Sequence, residues 1–175
     1  MRSARLLASL VALLPLVGCG YGLVGRGGGF DPSIRKIGVP LFRDASGRSS
    51  LDQKITQKVV EELLKRGKID VVATTEGVDA VVDGEIVSYQ VQPVGFSATG
   101  EKTTASRYSI TVTAKVRYFK PGEAQPIWQN DAFVYRDEYD LGSDGATFFD
   151  REDQGLERLA VAFARSLVAA MLEAF

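Results

Sequence analysis

The chain contains no histidine and only one cysteine in 175 residues. Without imidazole and with a single thiol, most metal sites and most nucleophile–base pairs are excluded. A surplus of either charge is also lacking. Lys and Arg number 21 against 22 Asp and Glu, a formal net charge of −1, so no bulk attraction to nucleic acid follows. Nor is there a long hydrophobic run near the start. Leu6 to Leu16 covers about 11 residues and is interrupted by Pro15, whereas a bilayer-spanning helix needs about 20.

What is present at the start is a charged stretch, Met1-Arg2-Ser3-Ala4-Arg5, then that short apolar run, then Leu16-Val17-Gly18-Cys19. This order predicts a signal peptide over residues 1–18. Leu-Val-Gly-Cys resembles the lipobox of bacterial lipoproteins, which implies that the mature chain starts at Cys19 and that its sulfur carries a diacylglyceryl group. An ordinary secretory signal followed by an unpaired thiol is the alternative, but a free thiol in an oxidising compartment is a liability. Stable membrane attachment takes about two acyl chains, and a lipidated Cys19 supplies them without a transmembrane helix. Removing Arg2 and Arg5 with no acid makes the remainder slightly more acidic. Its length is that expected of one domain.

Six of the ten residues 20–29 are glycine, and such a composition loses too much backbone entropy on ordering to fold by itself. Residues 19–33 are therefore expected to be a tether, with one α+β domain over 34–175. Neither a Gly-Lys-Ser/Thr ending nor a preceding strand supports a phosphate loop there. Ile34 to Phe42 reads as a first strand weakened by Pro40. Ser50 and Gln53 form a candidate capping box, opening a helix whose apolar residues Leu51, Ile55, Val59 and Leu63 recur every four positions, with Val60 and Leu64 widening the stripe. Gly67 is its expected stop. Ile69 to Val72 reads as a short strand, and Thr74 to Asp79 as a loop.

Ala80 to Gln92 alternates Val82, Ile86 and Ser88 against Asp83, Glu85 and Tyr89. From Tyr108 to Tyr118 every even position is apolar or aromatic and every odd one polar, the pattern of a half-buried antiparallel strand. Turn residues at Lys120 to Glu123 lead to a further strand over Gln125 to Tyr139. The last segment, Thr147 to Phe175, reads as a closing helix of about 25 residues, about 38 Å long at 1.5 Å per residue, with Leu156, Leu159, Phe163, Leu167 and Met171 on one face. The expected fold is α+β, with two helices packed on one face of a largely antiparallel four- to five-stranded sheet.

The opposite face of the best strand carries Thr111, Thr113, Lys115 and Arg117, hydroxyls and cations at two-residue spacing, able to face water or an anion. Gln92 to Arg107 reads as a mobile polar loop with Lys102 and Arg107 available for phosphate groups. The acids Asp137, Glu138, Asp140, Asp144 and Asp150 crowd a second loop, but their spacing lacks the alternating ligand pattern of a calcium site. No catalytic residue, metal or cofactor is expected. A lipid-anchored hydrolase lacks its histidine.

Leu-Val-Gly-Cys-Gly-Tyr at 16–21, the strand Ile34 to Phe42, Val-Val-Glu-Glu-Leu-Leu at 59–64, the Tyr108 to Tyr135 hairpin and the closing helix together resemble the lipopolysaccharide-assembly lipoproteins of the LptE family. The resemblance implies an outer-membrane lipoprotein, anchored on the periplasmic side, that plugs the β-barrel LptD and assists lipopolysaccharide delivery to the outer leaflet. Gly20 after the cysteine, rather than an aspartate, is compatible with outer-membrane sorting. Charge alone, not the family, nominates Lys102, Arg107, Lys115 and Arg117 as lipopolysaccharide contacts. The opening β-α-β also looks like that of CsgG-like secretion lipoproteins and the TolB amino-terminal domain, but a pore needs more alternating segments than the chain provides.

Overall fold

Leu51, Ile55, Val59 and Leu63 have no solvent exposure on one side of helix α1, Leu51–Arg66, in a computed structural model that describes residues 30–66, 69–99, 102–141 and 148–173. Val60 lies half-buried at the edge of that stripe and Leu64 is 52% exposed, so the stripe is narrower than the spacing suggests. Ser50 precedes the helix at φ 62°. An N-cap serine reaches its amides from extended backbone, and the capping box is replaced by backbone closure, Lys54 N–H donating to the Ser50 carbonyl at 3.1 Å. Thr56 donates to the Asp52 carbonyl at 2.6 Å and accepts the Phe42 N–H at 3.0 Å, tying α1 to the preceding chain. The anticipated stop at Gly67 lies outside the described residues.

The strands are β1 Lys36–Gly38, β2 Arg43–Asp44, β3 Asp70–Val72, β4 Ala80–Thr99, β5 Lys102–Phe119 and β6 Trp128–Asp140. They form one sheet in the order β3-β1-β4-β5-β6, with β2 also beside β4. The α+β class is as expected, but the sheet is mixed and has six strands. β1 pairs in parallel with β3 and β4, and β2 with β4, while β4, β5 and β6 are antiparallel. Parallel pairing of β1 and β3 follows from their connection, a crossover through α1. Of the single first strand expected over Ile34 to Phe42 only Lys36–Gly38 forms, stopping short of Pro40, which has no N–H to give a ladder, and β2 lies beyond that range at Arg43–Asp44.

Two further differences shape the sheet. First, within the expected loop Gln92 to Arg107, Gln92 to Thr99 and Lys102 to Arg107 are strand: β4 and β5 pair down to Thr99 opposite Lys102. β6 accompanies them only as far as Arg107 opposite Asp140, so beyond that point a two-stranded ribbon satisfies its own backbone and covers no core. It therefore has no reason to alternate apolar residues, which is why its sequence resembles a loop. Second, a β-bulge around Val87 shifts the register between Ile86 opposite Ala114 and Ser88 opposite Thr113. The extra residue inverts the phase of β4, and Tyr89 joins the face of Val82 and Ile86 instead of opposing it.

That face holds the core. Val82, Ile86, Ile110, Val112, Ala114, Val116 and Tyr118 pack with α1 and with helix α2, Phe148–Leu172, through Leu159, Phe163, Leu167 and Met171. Phe133 of β6 meets the Phe163 ring edge-on at 5.1 Å. Two glycines permit close approach here. The Phe42 ring lies directly on Gly84, and at Gly155 a methyl group would stand 3.1 Å from Ile110 Cδ1 and 3.2 Å from Tyr139 Cδ1. The helices are joined at their surface by Lys58 and Glu157, 2.7 Å apart.

The chain is already held before residue 34. Phe30 packs edge-on against Tyr118 at 6.5 Å, and Asp31 pairs with Lys120 at 3.1 Å, at the end of β5 away from the hairpin tip. Hydrogen bonds from Ser33, foremost its backbone N–H, and then from Lys120 lower the Asp31 carboxyl to about 2.

Candidate functional site: the open face and the long hairpin

The face of the sheet turned away from the helices is polar because the odd positions of β5 and their cross-strand partners are polar. Asp83 stands directly opposite Arg117 and Glu85 directly opposite Lys115. Opposite charges in that arrangement attract across a sheet, and Arg117 donates to Asp83 at 2.9 Å. Arg43, brought alongside by β2, lies 3.6 Å from Asp83 and 3.8 Å from Glu85. Sequence reading missed Arg43, Asp83, Glu85 and Asp131 as members of this cluster. The two-residue spacing of Asp83 and Glu85 was the available signal, but its meaning depends on the register with β5.

Of the four nominated cations, two are thus engaged by carboxylates. Arg117 is held by Asp83, and Arg107 donates to Asp140 at 2.7 Å, a bond that raises the guanidinium pKa further above its ordinary value. Lys115 is exposed, and among the described residues it has no ion-pair or hydrogen-bond partner. Lys102 sits at the last paired position of the hairpin, opposite Thr99. The four cations therefore do not form one patch: Lys115 and Arg117 lie near one end of β5, and Lys102 and Arg107 near the other. Cys19 lies outside the described residues.

Between the two ends the positions on β4 and β5 are uncharged, with Ser88, Thr111 and Thr113, and the charges there, Arg136 and Glu138, come from β6. Arg136 of β6 donates to Thr111 Oγ1 at 3.3 Å. The acids expected in a loop after residue 137 are mostly on β6, which continues to Asp140, and they have structural partners. Asp137 pairs with Arg158 of α2 at 3.1 Å and Asp140 with Arg107. Among the described residues no group of three or more potential metal ligands occurs. No described helix is long and apolar enough to cross a membrane.

Three of the large exposed apolar side chains lie on the hairpin and at the start of α2. Val94 is 47% exposed and Phe96 63%, both on the outgoing half of the ribbon. Phe149, 69% exposed, begins α2 beside Phe148, whose ring packs edge-on against Tyr108. The ribbon thus pairs a hydroxyl-rich ladder with a few protruding apolar groups, a surface suited to contact rather than to chemistry.

Comparison with known proteins supplies the frame for this surface. No curated protein matches the sequence. Among solved structures, a Xanthomonas campestris protein of the DUF330 family is similar at 13% identity and a TM-score of 0.60, over 81% of this chain and 85% of that one. An uncharacterized lipoprotein B from Nitrosomonas europaea follows at 11% identity and a TM-score of 0.51, over 86% and 88% of the two chains. The hypothetical protein CT253 from Chlamydia trachomatis is similar at 12% identity and a TM-score of 0.51, over 79% and 96%. These likenesses concern the fold. A family model described as LptE, Lipopolysaccharide-assembly, matches residues 34–171, from the buried Ile34 before β1 to the last turn of α2, and the chain belongs to the LptE lipopolysaccharide-assembly family.

Proposed function

We propose that the protein is an outer-membrane lipoprotein, held on the periplasmic side by acyl chains on Cys19, that plugs an LptD-type β-barrel and assists lipopolysaccharide assembly at the outer leaflet. Family membership over residues 34–171 carries this reading. The surfaces are compatible with it. A barrel interior is polar and wet, and the open face presents hydroxyls and paired charges to such a surrounding. The ribbon of β4 and β5 extends past β6 and gives the domain a narrow end that a lumen can admit. The protein works by docking, with no catalytic residue, cofactor, metal or nucleic acid involved.

Lipopolysaccharide contact is assigned to Lys102, Arg107, Lys115 and Arg117. Lys115 is free to take a phosphate outright; Arg107 and Arg117 must share their carboxylate partners or exchange them. Affinity purification of the lipidated full chain, followed by identification of co-eluting outer-membrane proteins, tests the barrel. Recovery of a stoichiometric β-barrel is expected, and its absence under mild detergent overturns the plug. Cys19→Ser is expected to shift protein made without its barrel from the membrane to the soluble periplasmic fraction. Replacing Lys102, Arg107, Lys115 and Arg117 together by Glu is expected to weaken lipopolysaccharide binding in a salt-sensitive manner. Unchanged binding at low salt removes the electrostatic contact and leaves the plug.

A further inference from the structure

Arg43, Asp83, Glu85, Lys115, Arg117 and Asp131 enclose a cavity of about 220 Å³ on the open face. Three are cationic and three anionic, but the charges are not paired off evenly. Asp83 is taken by Arg117 and Arg43, and Glu85 by Arg43. Among the described residues Lys115 and Asp131 have neither an ion-pair nor a hydrogen-bond partner, though both line the same cavity. A β-bulge explains why they miss each other. Ala114 faces Phe133 while Val116 faces Asn130, so Lys115 confronts two residues, Asp131 and Ala132, where an unbroken ladder has one. Asn130 Oδ1 accepts the Ala132 N–H at 2.9 Å and fixes that geometry.

The result is one free ammonium and one free carboxylate held apart across a small polar cavity. A simple anion entering it meets three carboxylates, and a simple cation meets three cations. A molecule carrying both charges on a short spacer satisfies both walls. We propose that this cavity binds the phosphate ester of a primary amino alcohol, a phosphoethanolamine-type group, with its phosphate on Lys115 and the remaining donors of Arg117 and its ammonium on Asp131. Phosphate fits the cationic wall better than a carboxylate does, because its several oxygens can accept from an ammonium and a guanidinium at once. The proposal does not rest on docking in a barrel, and co-purification of a barrel reads a different property.

Calorimetric titration of the full-length lipidated protein in detergent tests it. O-Phosphoethanolamine is expected to bind at least tenfold more tightly than inorganic phosphate or ethanolamine. Asp131→Asn is expected to bring phosphoethanolamine down to the affinity of phosphate, Lys115→Glu to abolish both, and Lys115→Arg to retain both. Because the two side chains are exposed, the thermal midpoints of these variants are expected to stay near that of the parent, which checks that each is folded. Competition by micelles doped with phosphatidylethanolamine but not by those doped with phosphatidylglycerol identifies a lipid headgroup as the source. No competition from either identifies a soluble ester. Equal affinity for phosphate and phosphoethanolamine, no binding of either, or an Asp131→Asn protein that binds as the parent does overturns the proposal.

Discussion

The two faces of this sheet are made from the same strands yet obey different rules. Under the helices, Ile110, Val112, Ala114 and Val116 are fully buried among hydrocarbon, and their arrangement is fixed by volume. On the other side, Thr111, Thr113, Lys115 and Arg117 alternate with them, and their arrangement is fixed by which charges the register sets opposite one another. Stability is concentrated on the first face, whereas recognition belongs to the second. A single residue of slippage exchanges the two sets, so the bulges around Val87 and Asp131 matter more than their size suggests. Each inverts the phase of its strand, so that even positions face the core on one side of the bulge and odd positions on the other.

The largest effect expected from breaking this contrast comes from the dry face. Phe163 has no exposure and packs against Phe133. Phe163→Ala is expected to cost about 3–5 kcal/mol in denaturant unfolding, and a loss below about 1 kcal/mol would place this side of α2 outside the core. Gly84→Ala comes next, because the new methyl group meets the buried Phe42 ring. Overpacking of that kind typically costs about 1–3 kcal/mol. A neutral result in the same unfolding measurement means that Phe42 can move aside.

The dry face carries a polar knot at Glu152. Glu152 of α2, 4% exposed, accepts the Tyr89 hydroxyl at 2.6 Å and pairs with Arg48 at 3.2 Å, and Arg48 also lies over the Tyr89 ring at 5.6 Å. Burial and the bond to Glu152 push the Tyr89 hydroxyl pKa strongly upward, which keeps it a donor. Tyr89→Phe leaves the carboxylate with Arg48 and is expected to cost about 1–2 kcal/mol. An unchanged midpoint shows that Glu152 recruits another donor.

Which parts of this were legible in the sequence follows from what each pattern depends on. Helix α1 was readable because Leu51, Ile55, Val59 and Leu63 face a core whatever their neighbours do. β5 was readable because its alternation is uninterrupted. The hairpin tip was not, since a ribbon that covers nothing has no reason to alternate. Tyr89 was assigned to the wrong face because a bulge leaves no mark in the spacing of polar and apolar residues. At the candidate site the same limit holds: Lys115 and Arg117 were visible as cations, but that Arg117 is engaged and Lys115 is not depends on the register with β4 and on a bulge in β6. Charge composition identifies candidates, and strand pairing decides which remain available.

Acid is expected to act through the surface rather than the core. Asp79 accepts the backbone N–H groups of Arg35 and Lys36, both at 2.9 Å, and these bonds lower its pKa. Asp31 is lowered to about 2, and Glu157 is lowered chiefly by its bond from Lys58. A carboxylate with a depressed folded-state pKa contributes stability above its unfolded value, near 4, and loses it as pH falls through the folded value. The thermal midpoint is therefore expected to decline between about pH 4 and 2. Lys58, raised by Glu157, works in the opposite direction and loses its contribution only above its ordinary value of 10.5. Asp79→Asn is expected to lower the midpoint at pH 7 and to flatten the acid limb, and an acid limb identical to that of the parent assigns the loss elsewhere.

The smallest expected effect tests whether the open face contributes to stability at all. Arg117 and Asp83 meet at 2.9 Å, but the Arg117 side chain is 54% exposed, so water screens the attraction and the long side chain loses freedom by being held. A double-mutant cycle of Arg117→Ala and Asp83→Ala is expected to give a coupling of about 0.2–1 kcal/mol. It should shrink further in high salt, since the screening length falls from roughly 10 Å at 0.1 M to about 3 Å at 1 M, the separation of this pair. Arg43 complicates the cycle because it also reaches Asp83, and repeating it in an Arg43→Ala background isolates the pair. A coupling above about 2 kcal/mol, insensitive to salt, shows that this cluster is part of the architecture like the buried face behind it. A small and salt-sensitive value leaves Arg117 free to trade its carboxylate for a phosphate at little cost to the fold.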